Sequence, residues 1–274
     1  MDKYVAFLDI LGFKSALKNM RHEEAKNYIS KFSSVIYSAW KHSNCQNING
    51  YIVSDSIIIY SRRDCNSNTL IELIEFIDKV CKEEFVKNSI LIRGAIARGK
   101  FDRMSAIELS SLVKGLIVGQ AYVEAYKLES SMKVPGIILS DEVYDDTVNI
   151  LKYCNSIFEA KKKDNNSTHI YRYLSSDFLL SKSNLHKFVS LAKASDWLPH
   201  YHNAIYFALK HETNNKKIDQ VFDNIFKEVS SGYPNENWKD IDDFIKSVFN
   251  EYVSNYYQQR FLRYIRQKLF DSSI

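Results

Sequence analysis

Apolar residues fall along this chain in two rhythms: short dense runs of strand length, and longer stretches in which they recur every three or four positions. The first run, Tyr4-Val5-Ala6-Phe7-Leu8-Asp9-Ile10, predicts a strand over about 4–10. Leu17, Ala25, Tyr28, Ile29, Phe32, Ile36 and Trp40 follow at near-helical spacing and predict an amphipathic helix from Phe13 to about His42. A strand-turn-strand is expected through Cys45 to Tyr60, with Asn47-Ile48-Asn49-Gly50 supplying turn chemistry before the second strand. Leu70, Leu73, Ile74, Ile77, Val80 and Cys81 predict a helix over 68–86, and Ile90 to Gly99 a glycine-containing strand. Ile117-Val118-Gly119 leads into a helix begun by Ala121, Ala125 and Leu128, and 134–140 and 169–174 are further strands. Beyond about Ser175 the pattern turns helical, over 218–229 and 238–269, the latter with an aromatic stripe whose ordinary meaning is packing. Strands alternate with long helices while short turns demand antiparallel neighbours, so the fold class expected is α/β (α+β), a sandwich of the ferredoxin-like kind.

Composition narrows the class. The chain has 274 residues, 45% of them hydrophobic and 14% aromatic, ample for a packed core, and only 8 Gly and 3 Pro, too few for long linkers. No apolar run approaches the roughly 18 residues of a membrane span, and no secretion signal precedes the first strand, so a cytoplasmic protein is expected. The four cysteines are scattered without a CxxC pair, as in reduced proteins without a zinc site. A net charge of +4 fits a weakly basic surface or a phosphate pocket and does not call for nucleic acid.

The candidate chemistry lies in two acidic residues. Asp9 interrupts the first apolar run, and Asp55 interrupts a second, Tyr51-Ile52-Val53-Ser54-Asp55-Ser56-Ile57-Ile58-Ile59-Tyr60. A carboxylate on a buried strand costs several kcal/mol unless a cation or dense hydrogen bonding offsets it. Either residue alone is also readable as a strand-end cap. Together, in matching contexts, they point to adjacent strands sharing a divalent metal, and oxygen-only ligation suits Mg²⁺ or Mn²⁺ that also binds phosphate.

Phe7-x-Asp9-x-x-Gly12-Phe13, Ser54-Asp55-Ser56, Arg93-Gly94-x-Ile96-x-x-Gly99, Gly119 with Ala125 and Leu128-Glu129, and Pro135-Gly136-x-Ile138-x-Ser140 occur in this order. In order and spacing they resemble a class III nucleotidyl cyclase domain over roughly 4–174, most nearly the pyrimidine cyclases of bacterial antiphage signalling, the Pycsar cyclases. The resemblance implies a catalytic domain over 1–174 with a helical extension over 175–274. It also implies two Mn²⁺ or Mg²⁺ ions held by Asp9, Asp55 and the Ile10 carbonyl, and a homodimer with shared active sites. The activity implied is conversion of a nucleoside triphosphate to a cyclic nucleotide and pyrophosphate, the product acting on a downstream effector.

Gly12 and Phe13 would turn the chain into a helix whose first amides face the triphosphate, although Gly12 is equally readable as an ordinary turn glycine. Departures from the family pattern are informative. Lys100 stands where the family has a phosphate-binding Arg, which keeps the charge and loses the bidentate fork. Val123 and Lys127 stand where it has the transition-state Asn and Arg. Lys127 can still offset developing charge, or be a solvated helix lysine, and Val123 cannot donate a hydrogen bond. Lys161, Lys162 and Lys163 mark the region of the family's triphosphate lysine, and a solvated turn is the plainer reading. At the base-selecting positions Tyr51 and Leu116 replace both the adenine and the guanine readers. A bulky Tyr shrinks the pocket and offers a hydroxyl, which favours UTP over CTP and either over a purine; its alternative role is a cross-strand aromatic. His200, His202 and His211 match no zinc spacing.

Overall fold

A computed structural model of the chain describes residues 1–18, 20–43, 45–63, 65–104, 116–131, 134–150, 156–161, 167–180, 183–184, 187, 208–209, 212–232, 260, 263–264 and 267. The chain divides into two compact units: Met1–Met132 with Gly136–Ile157 and His169–Tyr173, and Lys133–Pro135 with Phe158–Thr168 and Leu174–Ile274.

The first unit is organised around β1 (Asp2–Ile10), an almost unbroken apolar strand with neighbours on both sides. β3 (Ser56–Ser61) and β4 (Ile92–Lys100) pair with it antiparallel, and β2 (Ile48–Val53) pairs antiparallel with β3. α1 (Phe13–Lys18) and α2 (His22–Ser43) connect β1 to β2, and α3 (Ser67–Asn88) connects β3 to β4. The order β2-β3-β1-β4 with these crossovers is the βαββαβ arrangement of the ferredoxin-like sandwich, as the sequence pattern predicts. β7 (Ile137–Leu139) extends the sheet parallel to β4, and β9 (Ser167–Tyr171) pairs antiparallel with β7. β8 (Ile157–Lys161) lies almost wholly in the second unit. β5 (Asp102–Met104) and β6 (Leu116–Val118) form a separate antiparallel ribbon.

Alternation along the strands sends side chains to two faces. On one, Val5, Phe7, Ile58, Tyr60, Ala97 and Phe101 pack with Ala121 and Ala125 of α4 (Gln120–Ser130). Two small residues on the buried side of α4 let it lie close to the sheet, and Gly119 anchors its start. A Cβ at Gly119 would stand 2.4 Å from the Lys100 carbonyl oxygen and 2.7 Å from the Phe101 Cα. The other face belongs to α2 and α3. Trp40 of α2 covers Gly50 of β2 and meets Phe76 of α3 edge to face at 4.8 Å between centroids. Along α3, Leu70, Leu73, Ile77 and Val80 are fully buried, each contributing about 1.5–3 kcal/mol relative to exposure. Asn66 caps this helix by accepting from the Thr69 amide at 2.9 Å.

Three expectations need correction. The helix expected from 13 to 42 is two helices, because α2 has a start signal of its own: Glu24 accepts from the Arg21 amide at 2.8 Å, one half of a capping box. The run 51–60 is a hairpin with Ser54 and Asp55 as its two-residue turn, Val53 standing opposite Ser56. Asn49 and Gly50, expected in a turn, lie inside β2, where a Cβ at Gly50 would stand 2.9 Å from the Ile58 carbonyl oxygen, with Trp40 packed over it at 3.4 Å. α5 (Asp141–Val148) was not expected; Ser140 precedes it, with Asp141 and Glu142 in its first turn, where acidic residues suit the helix dipole.

In the second unit, α6 (Ser176–Leu180) and α7 (Asn215–Gly232) are joined by Lys217–Asp177 at 2.6 Å, and Ser176 donates to Glu212 at 3.0 Å. The helix expected over 218–229 lies within α7. Most of 238–269, together with His200, His202 and His211, lies outside the described residues. Among the described residues no helix is long and apolar enough to cross a membrane.

Candidate active site

Asp9 sits one residue from the end of β1, and the register places it opposite Ser56 of β3 and Arg93 of β4. Ser56 donates from its hydroxyl to Asp9 Oδ1 at 3.0 Å. Asp55 occupies the hairpin turn next to Ser56, and its backbone carbonyl accepts from the Ile10 amide at 3.2 Å. That bond ties the turn to the end of β1. Ser54 takes a left-handed φ of 58° to make it. Burial holds the Asp9 carboxyl above the usual range; the Ser56 hydrogen bond opposes this, the neighbouring Asp55 carboxylate adds to it, and Arg93 draws it down. The Asp55 carboxylate therefore lies near enough to Asp9 to repel it. Their donors are oxygens, a set that fits Mg²⁺ or Mn²⁺. No group of three or more His, Cys, Asp or Glu side chains converges among the described residues. A hard cation here would take its remaining ligands from backbone carbonyls, water or phosphate.

Two further charges complete this end of the sheet. Arg93 Nη2 lies 3.8 Å from Asp9 Oδ2, and Arg93 Nε forms an ion pair with Glu129 in the last turn of α4. Glu129 is only 4% exposed. Burial pushes its carboxyl up to about 7, against the pull of Arg93. In the sequence Arg93 and Glu129 stand out only as motif letters. The available signal was that Glu129 continues the i, i+4 series of Ala121 and Ala125, the buried stripe of α4.

Gly12, with a φ of 82°, makes the turn out of β1 in a conformation that favours glycine, and its carbonyl accepts from the Ala16 amide at 3.0 Å as α1 begins. Phe13 opens that helix and stacks on Tyr28 at 6.0 Å between centroids. Tyr51 points from β2 to the α4 face, partly buried against the apolar cluster, 5.8 Å from the Tyr60 ring. Its hydroxyl is buried with no hydrogen-bond partner among the described residues, and burial pushes it up to about 12. The Arg103 guanidinium stands 5.9 Å from the Tyr51 ring centroid. Leu116 opens β6 opposite Met104.

Lys100 is not brought to the carboxylates within one chain. It stands opposite Asp2, pairing with it at 3.0 Å, whereas Asp9 stands opposite Arg93. The seven residue steps from Arg93 to Lys100 amount to about 23 Å of strand. Val123 and Lys127 lie on the outer side of α4 and are exposed, Val123 by 47%. Lys161 ends β8, and Lys162 and Lys163 lie outside the described residues. A cavity of 710 Å³ on the α2 side, lined by Ile36, Trp40, Lys41 and Ile52 among others, includes neither carboxylate.

No protein-family profile and no curated protein matches the chain. Solved structures similar to it include the adenylyl cyclase CyaB from P. aeruginosa, at 16% identity over 62% of this chain and 92% of that chain, with a TM-score of 0.48. The guanylate cyclase domain of RhGC from Catenaria anguillulae in complex with GTP is similar at 14% identity over 62% and 95%, with a TM-score of 0.47. The catalytic core of a rhodopsin-guanylyl cyclase with converted specificity, in complex with ATPαS, is similar at 15% identity over 62% and 94%, with a TM-score of 0.49.

Proposed function

We propose that this chain is a nucleotidyl cyclase, and specifically a pyrimidine cyclase that converts UTP, or less readily CTP, to the 3′,5′-cyclic nucleotide and pyrophosphate. One observation carries the reading. Asp9 and Asp55 are held together by the β1–β3 register and the Ile10–Asp55 bond, on a ferredoxin-like sheet and within the motifs that resemble class III cyclases. Two Mg²⁺ or Mn²⁺ ions bound there would activate the substrate's 3′-hydroxyl and neutralise its triphosphate. The 3′-oxygen gives up its proton to solvent and forms a bond to the α-phosphorus, the bond to the bridging oxygen breaks, and pyrophosphate leaves.

The catalytic domain is assigned to 1–174 and the helical extension to 175–274. Because Lys100 lies far along β4 from Asp9 and Lys127 faces outward, a two-fold pair of chains is the arrangement in which they could serve a partner's carboxylates. The Pycsar resemblance adds a role as a second-messenger source in antiphage defence. Tyr51 supports the pyrimidine choice, since its buried hydroxyl has no protein partner among the described residues and can bond a small base edge.

Incubating the protein with equal UTP, CTP, ATP and GTP and Mn²⁺, and resolving products by mass, tests this directly. Cyclic UMP is expected as the main product. Cyclic AMP or cyclic GMP would make the chain a purine cyclase and remove the Tyr51 argument. Tyr51→Phe should cost about 1–3 kcal/mol in kcat/KM for the pyrimidine while purines stay excluded, and Tyr51→Ala should admit purines. A second reading, a nucleotide-binding regulatory module without turnover, draws on Val123, which offers no hydrogen bond where the family keeps an Asn; binding without product from any of the four nucleotides would favour it.

A further inference from the structure

We infer that Arg93 is a positioning residue that sets the cation affinity of the Asp9–Asp55 pair, and that Glu129 governs Arg93. The inference rests on Asp9 and Asp55 being cation ligands, and it adds parts from two other elements. Arg93 leaves β4 opposite Asp9, and Glu129 leaves the last turn of α4 to meet it. All three side chains are at most about a fifth exposed. The guanidinium is shared unequally. Glu129 engages Nε, while Nη2 remains 3.8 Å from Asp9 Oδ2, too far for a hydrogen bond and short of the bidentate fork that Arg forms with a free carboxylate.

A resident positive charge acts in two opposed ways here. At its present distance it offsets part of the repulsion between Asp9 and Asp55. One ångström closer, it would close onto Asp9 and occupy the oxygen that an entering cation needs. Glu129 holds it back from that position. The backbone cannot shift to compensate, because β4 is fixed on both sides: Gly94 donates its amide to the Gly136 carbonyl at 3.1 Å, and a Cβ there would already stand 2.4 Å from Leu8 Cδ2. Glu129 therefore acts on the cation mainly through Arg93, alongside the weaker direct field it exerts on Asp9.

That dependence gives a double-mutant test. Mn²⁺ is titrated into the protein without nucleotide, and free Mn²⁺ is followed by its paramagnetic resonance signal. Glu129→Gln should weaken binding about ten-fold, the scale of one modest charge interaction. Arg93→Met should tighten it by a similar factor, and Glu129→Gln added to Arg93→Met should change little. Arg93→Lys keeps the charge without Nε and should weaken binding as Glu129→Gln does; thermal melts of each variant check folding, and this variant carries the test if Arg93→Met does not fold. An equal loss from Glu129→Gln with and without Arg93, or no loss in either background, overturns the inference and leaves the ligand reading standing. Unchanged Mn²⁺ binding by Asp9→Ala overturns the ligand reading, and the inference with it.

Discussion

At the scale of single residues, this molecule keeps several carboxyl groups largely or wholly out of water, and they differ in what offsets the cost. Asp9 has Ser56, Arg93 and, on the proposed function, a cation. Removing either member of the Asp9–Asp55 pair leaves too few fixed oxygens to hold an ion against the triphosphate. Asp9→Ala and Asp55→Ala should each raise the cyclisation barrier by several kcal/mol, read as loss of product from every nucleotide in Mn²⁺. Near-normal turnover by either variant would refute the ligand assignment. Glu84, fully buried in α3, has less support: Asn88 donates to one carboxylate oxygen at 2.8 Å, and the other has no partner among the described residues. Burial pushes its carboxyl up to about 7 from an ordinary 4.5. A carboxyl whose folded pKa is raised stabilises the fold fully below about 4.5, and that stability is lost as pH rises through 7. Glu84→Gln keeps an acceptor for Asn88 and cannot ionise. It should raise stability by about 1–3 kcal/mol at pH 8 and by little at pH 5, measured by denaturant titration at both; an equal effect at the two pH values would mean that Glu84 does not titrate in this range.

At the scale of elements, the decisive contacts are those in which backbone meets backbone without an intervening side chain. α4 begins at Gly119, whose missing Cβ is the reason the helix can start against the end of β4. Gly119→Ala would set a methyl carbon 2.4 Å from the Lys100 carbonyl oxygen, which a flexible side chain cannot relieve. It should destabilise the fold by about 1–3 kcal/mol and lower the melting temperature, and an unchanged temperature would mean that the start of α4 is not held there. The same elements show what was readable from sequence. Dense apolar runs exposed β1, β3 and β4, and i, i+4 spacing exposed α3 and α4, because burial on one or two faces imprints itself on composition. The 54–55 turn went unread because Ser and Asp stand where glycine or asparagine marks a hairpin, and Ser54 bears the left-handed conformation itself. The break between α1 and α2 depends on the reach of one Glu24 side chain, which periodicity does not register. Asp9 and Asp55 were legible as charges inside apolar runs. Glu129 was not, since an acidic residue near the end of a helix looks like solvated surface until the sheet beneath it is known.

At the scale of the whole molecule, the ion pair and outward residues of the first unit bear on assembly. Lys100 is engaged with Asp2 at the far end of β1 from Asp9, and α4 turns Val123, Tyr126 and Lys127 outward, with Tyr126 54% exposed. An exposed apolar and aromatic patch beside a lysine, on the same side of the sheet as Asp9 and Tyr51, is the surface that the shared-site proposal requires a second chain to cover. Two-fold symmetry would then make two sites, each with carboxylates from one chain and α4 from the other. Asp9→Ala and Lys127→Ala proteins should each be inactive alone. Mixed under conditions that exchange subunits, about half of the pairs combine one of each, and such a pair has one site with both defects and one with neither. About one quarter of wild-type activity should therefore return, and when Asp9→Ala protein is added in excess to a fixed amount of Lys127→Ala protein the total should rise towards twice the equal-mixture value while activity per total protein falls, because nearly every Lys127→Ala chain then sits in a mixed pair. Subunit exchange verified by energy transfer between labelled chains, with no activity regained, would place the complete site within one chain and require that a residue other than Lys127 meet the developing charge.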